Sequence, residues 1–106
     1  MKIYDLYTGY LSQGDGAQAL AANPRAYKHQ VYVAAAAGAT GTVAVSFRPS
    51  HTESFIPLLD DADAQVVFDL SDPGQPAIFN GAVDAIQFSP TGVVGNYRGL
   101  AAGWVE

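Results

Sequence analysis

The side chains with chemistry to offer in this 106-residue chain are two histidines, a run of aspartates and a set of aromatic rings; cysteine is absent. Ser50 and His51 are adjacent, with Glu53 close by, which suggests a nucleophile and its base. Neighbouring side chains of an extended chain point to opposite faces and cannot share a proton, so Ser50-His51 reads as part of a turn. Asp60, Asp61 and Asp63 carry the charge to gather a hard cation. The stretch lacks the glycine at the sixth position and the glutamate at the twelfth that an EF-hand loop uses, so a solvated turn is the simpler reading. Without thiols there are neither disulfides nor thiolate metal sites. The glycines form no G-x-x-x-x-G-K loop, and no strand–glycine–helix unit exists for a dinucleotide. Asn23, Asn80 and Asn96 all miss the N-x-[ST] pattern. No catalytic residue, metal site or cofactor is expected. Trp104, with six tyrosines, offers either a sugar-stacking platform or a core plug or interface anchor. Tyr4, Tyr7 and Tyr10 recur every third residue and suit anchoring on a partner, with ordinary packing as the alternative. The residues singled out for partner contact are therefore Tyr4, Tyr7, Tyr10 and Trp104.

Charge narrows the classes further. Five Lys and Arg stand against ten Asp and Glu, for a net charge of −5. Residues 1–59 are about neutral, whereas residues 60–106 carry seven acidic groups against one base, Arg98. No basic stripe exists to neutralise phosphates, which argues against nucleic-acid binding. Only 14% of residues are charged, below the usual quarter of a soluble domain. Either this is a plain Gly/Ala-rich β domain or much of its surface is covered in an assembly. The start, MKIYDLYTGY, has no signal-type apolar run and no stretch approaches a membrane span, so no membrane contact is expected. The expectation is a protein made in a cytoplasm that leaves it only as part of an assembly.

The elements that must position these side chains are short and β-like. Lys2 to Tyr7 reads as a strand. Thr8 to Arg25, centred on Gly14-Asp15-Gly16, reads as irregular, with an extended arm lying on a neighbour as the sharper interpretation and disorder as the plainer one. Val31 and Val33 share one face, opposite Lys28, Gln30 and Tyr32. Thr42 to Arg48 is the cleanest alternation, with Val43, Val45 and Phe47 inward. A Gly-containing loop joins these two segments, which predicts a hairpin. Phe55 to Leu59 contains Pro57 and belongs at an edge or a bulge. Val66, Phe68 and Leu70 point inward on the next strand, a short strand covers about Ala77–Phe79, and Tyr97 to Val105 carries Leu100, Ala102 and Trp104 on one face. The most informative stretch is Gly81 to Gly95, GAVDAIQFSPTGVVG. Its Ile86 and Phe88 share a face. Asp84 would fall on that buried face, so either the strand begins at Ala85 or a bulge resets the register. Pro90 is expected to end the ladder, with Pro90-Thr91-Gly92 as a turn. Eight or so strands with turns every 8–12 residues predict an all-β fold, an antiparallel β-sandwich of jelly-roll or Ig-like type with about 7–9 strands. The chain reads as one domain, with 1–26 an N-terminal strand or arm and 27–106 the sandwich core.

From Gly41 onward the order GTVAVSFRP, SFIPLL, VVFDLS, GAVDAIQFSPTGVVG resembles small virion structural proteins of tailed bacteriophages, of the capsid decoration (cement) or tail-accessory kind. Phe79, Gly81, Val83, Ile86, Gln87, Phe88 and Pro90 occupy the positions that carry the likeness, which spans about half of the chain. The matched positions are architectural, so no active site is transferred. The resemblance implies a non-enzymatic virion protein that binds a major capsid protein or another virion protein as a homo-oligomer, a trimer or dimer, and bridges capsid subunits. A carbohydrate-binding or host-adhesion module on the same sandwich is the alternative.

Overall fold

The computed structural model describes the backbone of residues 4–12, 16–23 and 25–105, and the side chains of 16–23 and 25–104. The strands are β1 (Tyr4–Ser12), β2 (Gln18–Ala21), β3 (Lys28–Ala35), β4 (Thr40–Arg48), β5 (Ile56–Pro57), β6 (Val67–Asp69), β7 (Ala77–Asn80), β8 (Ala85–Val94) and β9 (Tyr97–Val105). They form two antiparallel sheets, ordered β1-β9-β3-β7 and β2-β8-β4-β5, with β6 also paired to β4. β5 and β6 are two pieces of one edge strand. Ile56 and Pro57 lie opposite Phe47 and Ser46, and Val67 to Asp69 lie opposite Ala44 to Thr42. Between them Leu58 N–H donates to Val45 O at 3.1 Å and Val45 N–H to Val66 O at 2.9 Å, while residues 59–65 loop outward. Counted as one, they make eight strands among the described residues, and the chain passes to the opposite sheet at every connection except that from β4 to β5–β6, which stays within one sheet. That is the jelly-roll order; an immunoglobulin sandwich would keep its first two strands in one sheet.

The hairpin expected between β3 and β4 is not formed. β3 pairs with β7 and β9, whereas β4 pairs with β5, β6 and β8. Both strands carry an inward valine pair, and a short Gly-containing loop can arch between sheets as readily as it can turn within one. β8 and β9 are separated by only Gly95-Asn96 and do the same. The two arches stack, with Ala35 opposite Tyr97 in one sheet and Thr40 opposite Val94 in the other. The stretch from Thr8 to Arg25, expected to be irregular, holds the end of β1 and all of β2. Over these residues it pairs with β9 and β8 of its own chain. Its polar, small-residue composition hid the strands because each covers only one edge of a sheet.

The core lies between the sheets. Val31 and Val33 face Val43, Val45, Ile86 and Phe88, all essentially inaccessible to solvent, and Phe68, Leu70 and Val83 close the ends. β9 contributes Tyr97, Gly99, Ala101 and Gly103 to this face. Leu100, Ala102 and Trp104 therefore do share a face, but it is the outer one. Small residues on β9 make room for the large ones on β8: a Cβ at Gly99 would stand 2.9 Å from Phe88 Cγ.

Pro90 does not end its strand. β8 runs through Pro90-Thr91-Gly92 to Val94, with Pro90 opposite Val43. Proline is tolerated because β2 covers only Ala85 to Phe88, so among the described residues that side of β8 has no ladder to feed at Pro90. The turn signal at Gly92 marks a bulge: the register shifts between Thr40 and Thr42, and Gly92 sits at φ 61°. The strand starts at Ala85, and Asp84 just before it still donates its N–H to Arg48 O at 2.8 Å and accepts from Ala22 N–H at 2.9 Å. Its carboxylate meets Arg48 Nε at 2.7 Å, both side chains about a third exposed, and the Arg48 guanidinium also lies 4.9 Å from the Phe55 ring centroid.

Candidate functional site: an edge cleft

The residues chosen for their chemistry are scattered. His51 is exposed in a turn, where Ser50 Oγ is hydrogen-bonded to Thr52 Oγ1 at 3.0 Å. His29 is wholly buried on the inward face of β3, where the period of two from Val31 and Val33 places it. It stacks on Phe79 with ring centroids 5.0 Å apart, and its Nε2 lies 2.7 Å from Gly81 O, which fixes a donating N–H at that nitrogen. Burial pushes its pKa below the ordinary value, opposed by the bond to Gly81. The aspartate run serves the backbone: Asp60 Oδ1 accepts from Ala62 N–H at 2.8 Å and Ala64 N–H at 3.1 Å, closing the 59–65 loop on itself. Asp69 accepts from the Ser71 hydroxyl and amide, which hold its carboxyl below the usual range. Among the described residues no group of three or more potential metal ligands converges.

Trp104 sits half-buried on the outer face of its sheet, and its buried Nε1 has no hydrogen-bond partner among the described residues. The side chains of Tyr4, Tyr7 and Tyr10 lie outside the described residues. Their backbones belong to β1, where Tyr4 is opposite Val105, Tyr7 opposite Gly103 and Tyr10 opposite Leu100.

What the fold does assemble is a cleft along the open edge of the sandwich. β7 ends one sheet and β5–β6 ends the other, on the same side. Between β7 and the 58–66 segment lies a depression of about 440 Å³ whose lining includes Leu58, Leu59, Asp61, Val66, Ile78 and Phe79. It continues past Val66 and Ala77 into a shallower one of about 250 Å³ that reaches Pro73 and Pro76. Leu59 is 51% exposed and Ile78 62%, so the rim is apolar and accessible. Asp60 and Asp61 line it, while Asp63, Asp69 and Asp72 are exposed on the adjoining chain. No Lys or Arg occurs between Arg48 and Arg98; the base nearest by register is Lys28, opposite Asn80. The sequence signal for this site was Ile78 on one short, proline-flanked strand and Leu59 just beyond another. Alternation alone ranks such residues as solvent-facing and stops there.

No protein-family model, curated protein or solved structure matches the chain.

Proposed function

We propose that the chain is a non-enzymatic virion structural protein, a head decoration protein that binds the outside of a capsid and bridges its subunits. The observation that carries the reading is the jelly-roll strand order, an architecture that recurs in capsid and lectin domains. The accessible apolar edge beside β7 supports it, since lone folded domains seldom leave such edges open. Lectin domains share the architecture, but Trp104, the side chain best suited to stack on a sugar, has its indole nitrogen buried. That favours the capsid reading over the adhesion one. In the proposed role the protein acts stoichiometrically, through many modest contacts summed over a lattice. The test is to mix purified protein with undecorated phage heads and image them. Symmetric added density on the head exterior is the expected result. Absence of head binding together with saturable binding to a tail or a glycan would overturn the proposal.

A further inference from the structure

We infer that the β7 edge takes up an extended segment of a partner protein as an added strand, one in which apolar side chains alternate with lysine or arginine. The two walls of the cleft differ in the way that matters for strand addition. The β5–β6 wall is blunted by Pro57 and by the looped-out, self-capped residues 59–65. Among the described residues β7 pairs on one side only, with β3, and its residues Ala77, Ile78, Phe79 and Asn80 include neither a charge nor a proline. Edge strands are ordinarily protected by such residues, lysine above all. Alternate residues of β7 direct N–H and C=O outward, and an entering strand would satisfy them.

The rest of the cleft specifies the entrant. The lining supplied by Leu58, Val66 and Phe79 calls for apolar side chains on one face of the added strand. Asp60 and Asp61 on the rim, with Asp63, Asp69 and Asp72 beyond, set a negative field that favours cationic side chains on the other face. The run of the cleft from Asn80 towards Pro73 suits an extended chain better than a compact ligand. The inference deepens the proposed role by naming a contact edge, and rests on it only in taking the entrant to be a protein segment.

The experiment uses isotopically labelled full-length protein titrated with a short blocked peptide of alternating lysine and valine, and with its glutamate–valine counterpart. Saturable amide shifts confined to 58–66 and 77–80, for the lysine peptide alone and weakened by salt, are expected. The exposed pair Asp61→Lys and Ile78→Lys should keep the thermal midpoint and lower affinity by about tenfold or more. Equal binding of both peptides, shifts at other edges, no saturable binding, or concentration-dependent shifts at 77–80 without peptide would each overturn the inference, the last by making the entrant a second copy of this chain. Head-binding separates the two proposals. Variants that still decorate heads refute the edge and spare the role, whereas peptide uptake at β7 without head binding does the reverse.

Discussion

Replacing Gly99 by alanine tests how closely the two sheets are fitted. Gly99 lies on the central strand β9, opposite Val33, with its missing side chain aimed at the Phe88 ring. An added Cβ would stand 2.9, 3.0 and 3.1 Å from three carbons of that ring. Phe88 is 1% exposed and flanked in its own sheet by Gln18 and Val45. Alanine in a strand interior normally gains about 0.5–1 kcal/mol over glycine through backbone entropy. Overpacking of a rigid site costs about 1–3 kcal/mol. The clash should win, leaving a net loss of about 1–2 kcal/mol, with each kcal/mol lowering the thermal midpoint by about 4–8 °C in a domain of this size. Urea titration followed by far-ultraviolet circular dichroism measures it, with an unchanged slope showing that stability alone has moved. A double-mutant cycle with Phe88→Leu supplies the control. Phe88→Leu alone is destabilising, but in its background Gly99→Ala should cost much less, with a coupling of about 1 kcal/mol. Gly99→Ala at or above parental stability, or additive effects in the cycle, would refute the claim that the glycine exists to seat the ring.

Two further outcomes follow from the same geometry. A Cβ at Gly41 would meet Gly92 O at 2.6 Å and Val93 Cα at 2.7 Å, backbone atoms that cannot yield, at a φ of 105°; Gly41→Ala should therefore cost about 3 kcal/mol or more in urea unfolding, whereas Gly92→Ala, at φ 61° in open space, should cost only about 1–2 kcal/mol. Because burial holds the folded-state pKa of His29 below its ordinary value of 6.5, the unfolded chain takes up the proton first on acidification. Stability contributed by the neutral imidazole is complete above that value and declines as pH falls below it, with a slope of at most about 1.4 kcal/mol per pH unit. His29→Gln should remove that slope from a pH series of thermal midpoints while leaving the carboxylate-driven loss at lower pH.

The strands of this protein were more legible than their pairings. Val31, Val33, Val43, Val45, Ile86 and Phe88 announce their inward face by alternation, and each is buried. Alternation is silent on which strand lies beside which, so β3 and β4 read as a hairpin although they belong to different sheets. Pro90 misled for a related reason: its missing amide matters only where a neighbour needs it, and β2 stops short of it. On β9 the large residues Leu100 and Trp104, with Ala102 between them, drew attention to the outer face. Beyond Tyr97 the core side is built from Gly99, Ala101 and Gly103, and at Gly99 the space is filled by Phe88 from the opposite sheet. The cleft was the least legible feature of all. It is made from Leu59 and Ile78, nineteen positions apart in sequence, each unremarkable until the topology sets their strands at the same edge.

The strand order also fixes when this protein can fold. β9 is the strand between β1 and β3, and β8 is the strand between β2 and β4. In the chain both come after all seven of the others. During synthesis β3 can pair with β7 and β4 with β5–β6, but β1 and β2 have no partner, and β3 and β4 lack their second one, until β8 and β9 arrive. Folding is then a late, concerted insertion of the final arch between segments already made. A ribosome-bound chain truncated before Ala85 should stay protease-sensitive, and the waiting β-edges are the species that must be kept from pairing with other chains.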